Sequence, residues 1–200
     1  LDDEKYGETA RSLYDDARAM IQKIIDEQWL SPKAVVGFWP ANTQGDDVIL
    51  YQDDTRTAPL ETLYMLRQQV EKRAGRANDC LADVVAPVDT GLADYVGGFV
   101  VTVGTADQQL EAFDNDKDDY NSILLKAISD RFAEAFAERM HQRVRKEFWG
   151  YAADETLTNA ELVKETYQGI RPAPGYPANP DHSEKITLFK VLDTEKNTGV

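Results

Sequence analysis

The chain has 200 residues, 42% hydrophobic and 29% charged, with a formal net charge of −14, two histidines and one cysteine. That length supports one domain with a real core, and no apolar run approaches the roughly 20 residues that span a bilayer. The acidic balance works against nucleic acid and anionic membrane, a lone cysteine excludes an internal disulfide framework, and so few His and Cys residues argue against a closed zinc site.

The opening LDDEKYGETA has neither a basic-then-apolar leader nor an initiator Met. It is read as cytoplasmic and as a piece of something longer. Residues 8–28 read as a helix, because Ala10, Leu13, Ala17, Ile21 and Ile24 recur at spacings of three and four with charge between them. Ser31-Pro32 ends it. Residues 34–39 read as a buried strand, 40–47 as a polar turn around Gly45, and 48–51 as a second strand, together an antiparallel hairpin. Residues 55–78 stay open: Leu60, Leu63, Met65 and Leu66 could belong to a helix, but Gly75-Arg76 breaks the pattern. Residues 81–86 read as a strand.

Residues 95–103 make the strongest strand, and Gly97-Gly98 within it imply a bulge or a close approach. Thr105-x-x-Gln108 reads as a capping box opening a short helix. Residues 118–149 form the longest periodic segment. Leu124, Ile128, Phe132, Phe136, Met140, Val144 and Phe148 are four apart, so their stripe drifts around a helix until Gly150 stops it. Thr158-x-x-Glu161 reads as a capping box for a helix ending near Tyr167, and Asp181-x-x-Glu184 as the cap of a last helix reaching about Glu195. Strands early and helices late give the α+β class: a single domain, residues 1–200, with a bent, mostly antiparallel sheet and flanking helices.

Between the last two helices stands QGIRPAPGYPANPDHSEK, residues 168–185. Prolines 172, 174, 177 and 180 each fix φ, remove a donor and restrict the preceding residue. The loop is therefore stiff, with Gly175 as its freest point. Arg171 and Tyr176 flank the rigid part. A stiff loop holding a guanidinium and a phenol suits a small carboxylate-bearing ligand, because little ordering cost falls on binding. Taken alone, it reads more readily as a proline-rich connection with a solvated arginine. There is no glycine-rich dinucleotide turn, phosphate loop or nucleophile elbow. By pattern, His182 is a first-turn helix residue, Cys80 a small core residue, and Trp39 and Trp149 packing aromatics.

RPAPGYPANPDHSEK resembles the RxxxGY segment of the activation domain of cobalamin-dependent methionine synthase. The likeness continues in the same order through VVGFWPAN, GDD, YQDDTRT, LRQQVEK, CLADVVAP, ADYVGGFVVT, DDYN, AEAFAE, RVRKEFWGYA and YQGIRPAPGYP, from about Gly7 to Gly199. Many members carry Cys where this chain has Asn179. Family domains also begin earlier and continue past TGV, so the chain resembles a fragment lacking part of both ends.

The resemblance implies a module that binds S-adenosylmethionine and supports reductive methylation of inactive cob(II)alamin. The whole methyltransferase makes methionine from homocysteine and methyltetrahydrofolate. Cobalamin would lie on another domain of the same enzyme, and a flavodoxin-type donor would supply the electron. No general acid or base is needed, so no catalytic residue is assigned. The resemblance places Arg171 on the ligand's carboxylate, where a planar guanidinium pairs in bidentate fashion. It places Ala173 and Gly175 where backbone approaches the ligand, and Tyr176 between ligand and corrin. Glu134 and Glu165 match acidic positions that could hold the ligand's ammonium or a ribose hydroxyl. Arg139, His141, Arg143, Arg145 and Lys146 form the one dense basic run, a candidate face for the acidic electron donor or the cobalamin domain, and equally a solvated helix end whose cations suit the C-terminal dipole. The alternatives are a freestanding S-adenosylmethionine-binding or sensor protein, and an interaction domain without ligand.

Overall fold

A computed structural model describes residues 6–200; the first five residues of the leader reading lie outside the described residues. The chain forms two compact units. One comprises residues 1–34, 101–142 and 200, the other 35–100 and 143–199.

The first unit is helical, built on α1 (Gly7–Asp26), α2 (Asp107–Asn115) and most of α3 (Asp119–Arg143). Met20 and Ile24 of α1 pack with Ala106 and with Leu124, Leu125 and Ile128 of α3, and Trp29 meets Phe113 edge-on at 6.3 Å. α1 stops where Gln28 turns to φ 54°, as expected within two residues. The capping box at Thr105 does not form. Ala106 is the N-cap, and Thr105 Oγ1 donates to Asp107 Oδ2 at 2.7 Å. α3 is capped by Asp118, whose Oδ1 accepts from Asn121 N–H at 3.1 Å; hydrogen bonds from Asn121 hold that carboxyl below its ordinary pKa.

The second unit carries the sheet, in the order β3-β2-β1-β4, with β1 Lys33–Gln44, β2 Asp47–Tyr51, β3 Pro59–Tyr64 and β4 Asp94–Thr102. β1 pairs antiparallel with β2, and β2 with β3. The fold is α+β. β1 runs five residues further than its apolar run, and the turn shrinks to Gly45-Asp46, with Gly45 at φ 66°. The polar residues read as turn have strand duties: Asn42 Nδ2 donates to the carbonyls of Ala86 and Leu92, and Thr43 N–H to Ala86 O. β3 replaces the helix considered over 55–78. Residues 81–86 are not a strand but begin a 3-10 turn, Leu81–Val84, tied to the sheet by those bonds.

Ala41, Val48, Leu50, Leu63, Met65, Cys80, Ala82 and Val85 form the core of this unit. Cys80 is buried there, as expected, and burial pushes its thiol pKa up. The glycines of β4 mark close approach. A Cβ on Gly97 would stand 3.0 Å from Phe38 and Trp149, and one on Gly98 2.8 Å from Leu188. Trp149 packs on the sheet against Phe38 at 5.1 Å, as expected of a packing aromatic, while keeping 43% exposure.

The four-residue stripe of α3 advances about 40° per step on a helix. Leu124, Ile128, Met140 and Val144 are buried, but Phe148 is 43% exposed. The helix absorbs the drift by widening to a π turn, Val144–Phe148, where Trp149 N–H reaches Val144 O at 2.9 Å. Gly150, at φ 75°, stops it. α4 (Asn159–Val163) has both arms of the predicted capping box, but ends four residues before Tyr167. The last helix is two: α5 (Glu184–Val191) and α6 (Thr194–Thr198), broken at Asp193 with φ 47°. Among the described residues no helix is long and apolar enough to cross a membrane.

Candidate functional site

The candidate loop, residues 168–180, lies within the second unit and runs from α4 to α5 without helix or strand, as its prolines require. It closes on itself. Gly175 N–H donates to Asn179 O at 2.8 Å, Asn179 N–H to Tyr176 O at 2.9 Å, and Tyr176 N–H to Ala173 O at 3.1 Å. Leu81 N–H donates to Ala178 O at 2.8 Å and ties the loop to the 3-10 turn below the core. Arg171 and Ala173 are half-buried, while Tyr176 is 66% exposed and offers its ring outward. Asn179 is 3% exposed, and its Oδ1 has no hydrogen-bond partner among the described residues.

Gly175 adopts φ 102°, outside the range of ordinary L residues. A Cβ there would meet the His182 imidazole at 2.2 Å. Gly169 adopts φ 98°, and a Cβ there would meet the Tyr151 hydroxyl at 2.7 Å. That hydroxyl donates to Gln168 O at 3.2 Å, and burial raises its pKa. His182 lies before α5 rather than in its first turn, since Ser183 is the N-cap. Asp181 Oδ1 accepts from Ser183 N–H and Oγ–H at 2.8 and 2.7 Å; these bonds, the backbone one foremost, lower the Asp181 pKa.

The structure gathers Arg171, Ala173, Gly175 and Tyr176 in one loop. Glu165 lies in the same unit, exposed, just beyond α4 at φ 54° with its N–H on Leu162 O. Glu134 lies on α3 in the first unit, exposed and paired with Arg131 at 3.1 Å.

The basic run at the end of α3 is largely paired or buried, with Arg139 left exposed. Arg145 is fully buried and forks onto Glu155 through Nε and Nη2, both at 2.7 Å, with its guanidinium 4.2 Å from the Tyr167 ring centroid. His141 is buried, Arg143 pairs with Glu147, and Lys146 Nζ donates to Glu155 O. The π turn carries Arg145 inward onto Glu155, which period alone did not show, while Arg139 stays exposed beside Gln142. An apolar cleft of about 420 Å³ in the first unit, lined by Ile24, Leu30, Val103, Phe132, Ala135 and Phe136 among others, includes no candidate residue. Sequence reasoning missed Tyr151 and His182 as supports of the loop. The signal was a pair of glycines at 169 and 175, each needing a neighbour too close for a side chain.

Fold and site together define an α+β module presenting a preformed, proline-stiffened loop with a guanidinium and an outward phenol. The family model of the vitamin B12 dependent methionine synthase activation domain matches residues 1–200. A crystal structure of the MetH reactivation domain bound to AdoHcy is 54% identical, with a TM-score of 0.93, covering 100% of this chain and 61% of that one. The chain belongs to the activation-domain family of vitamin B12 dependent methionine synthases. It spans about three fifths of the solved chain that it matches.

Proposed function

We propose that this chain binds S-adenosylmethionine through the loop of Arg171, and that it serves the reductive reactivation of cobalamin in a methionine synthase. The observation that carries this is the loop: a guanidinium held half-buried between two glycines whose neighbours fix them, in a domain 54% identical to one that binds AdoHcy. The residues fit the ligand's chemistry. Arg171 suits a carboxylate by bidentate pairing. Ala173 and Gly175 let backbone approach closely, and Asn179 Oδ1 is an acceptor with no hydrogen-bond partner among the described residues. Glu165 is exposed and shows no ion pair among the described residues, so it suits the ligand's ammonium or a ribose hydroxyl better than Glu134, which already faces Arg131.

When bound, the ligand supplies a methyl group from its sulfonium; cobalamin on a separate domain receives it, and a flavodoxin-type donor supplies one electron to the inactive cob(II) state. The protein's part is positional. Tyr176 presents its ring toward the face that the cobalamin-binding domain would approach. Arg143, Arg145 and Lys146 of the 139–146 run are already engaged by Glu147 and Glu155, which leaves that run little free charge for an acidic electron donor. The setting is a cytoplasmic methyltransferase of methionine biosynthesis, of which this chain is one domain.

Calorimetric titration with S-adenosylmethionine tests the reading. Saturable binding is expected, weakened roughly 30- to 100-fold by Arg171→Ala, the cost of losing a charge-assisted pair. Binding untouched by that substitution would remove Arg171 from the site.

A further inference from the structure

We propose that Tyr151 and His182 are positioning residues for the Arg171 loop, each seating a ring against a glycine hinge so that the loop is set before ligand arrives. The proposal rests on the S-adenosylmethionine reading for its consequence and on geometry for its content. Four prolines remove φ freedom from the loop, so its remaining freedom is concentrated at Gly169 and Gly175. Arg171 lies between those two hinges. Each hinge is closed by a ring occupying the place a side chain would take. The Tyr151 hydroxyl stands 2.7 Å from the Cβ position of Gly169, and three His182 ring atoms stand 2.2–2.7 Å from that of Gly175.

The rings are themselves held. Tyr151 meets Trp149 edge-on at 5.8 Å, and Trp149 meets Phe38 at 5.1 Å beside Gly97. The backbone at His182 is fixed by the Asp181–Ser183 bonds, and its carbonyl accepts from Lys185 N–H at 3.2 Å. The stem of the loop is fixed as well, because Tyr167 lies over the buried Arg145. Tyr151 and His182 both keep exposed surface, so replacing either opens no core cavity and should act on the loop rather than on global stability.

The test uses the full chain with His182→Ala, His182→Phe and Tyr151→Phe. Amide hydrogen exchange at Gly175 and Asn179 is read first, because it needs no ligand. His182→Ala is expected to accelerate both roughly ten-fold with sheet amides unchanged, and His182→Phe to restore protection by refilling the space. Affinity for S-adenosylhomocysteine is read second. A loss of roughly ten-fold is expected in His182→Ala and roughly three-fold in Tyr151→Phe, which keeps the ring but loses the bond to Gln168. In an Arg171→Lys background the His182→Ala loss should shrink, since the ring acts through the arginine. Unchanged exchange, or full additivity with Arg171→Lys, would overturn the proposal. An unaltered chain that binds nothing overturns the ligand reading instead, and the exchange comparison still decides the hinges on its own.

Discussion

Glu184 stands at the first position of α5, 5% exposed, with Oε2 buried and no partner for that oxygen among the described residues. Burial raises its carboxyl pKa above the ordinary 4.5. A carboxyl bound more tightly to its proton in the folded state favours folding below its unfolded pKa; that contribution is lost as pH rises through the folded value. Glu184→Gln should therefore stabilise the chain at pH 7 by about 1 kcal/mol, or about 2–4 °C in melting temperature, and by little near pH 4. Thermal melts at the two pH values check this, and equal destabilisation at both would refute it. Sequence could not show Glu184 as buried, because Asp181-x-x-Glu184 reads as an exposed capping pair. The structure has Ser183 as the cap and turns the glutamate inward. The stiffness of the loop that holds Arg171, Gly175 and Tyr176 was legible for the opposite reason: proline and glycine act through the local backbone, which a sequence states directly.

At the scale of elements, the π turn decides what the end of the long helix does. It carries Arg145 inward onto Glu155 and under Tyr167, making a basic residue the support of the loop's stem. Arg145→Met should cost about 3–5 kcal/mol, because it leaves Glu155, with 6% side-chain exposure, as a buried charge. Chemical denaturation measures that cost. Arg145→Met combined with Glu155→Gln should recover part of it, and no recovery would mean the pair's charge is not what Arg145 contributes. Periodicity found α1, β2, β4 and α3 because each buries one face for several turns or residues. It missed β3, where TLYML fits helix or strand, and the far end of β1, whose asparagine and threonine are held by carbonyls more than 40 residues away. The breaks at Asp193 and Glu165 rest on non-glycine residues with positive φ, which composition does not announce.

Across the whole molecule, the α+β class followed from the order of elements, and the family followed from collinear segments that no single motif could replace. The net charge of −14 has a global consequence: like charges repel in the compact state. Raising ionic strength from about 0.01 to 0.15 M shortens the screening length from about 30 to 8 Å, so the melting temperature should rise by a few degrees. A fall over that range would place the balance on attractive surface pairs such as Arg67 with Asp46 and Asp83 instead. The central claim is that Arg171 reads a carboxylate on an adenosyl sulfonium ligand. The most direct measurement is a pair of calorimetric titrations, with S-adenosylmethionine and with its decarboxylated analogue, on the unaltered chain and on Arg171→Ala. The account predicts that the unaltered chain prefers the carboxylate-bearing ligand by roughly 30-fold or more, and that Arg171→Ala loses most of that preference. Equal affinity of the unaltered chain for both ligands, or a preference that survives Arg171→Ala, would contradict it.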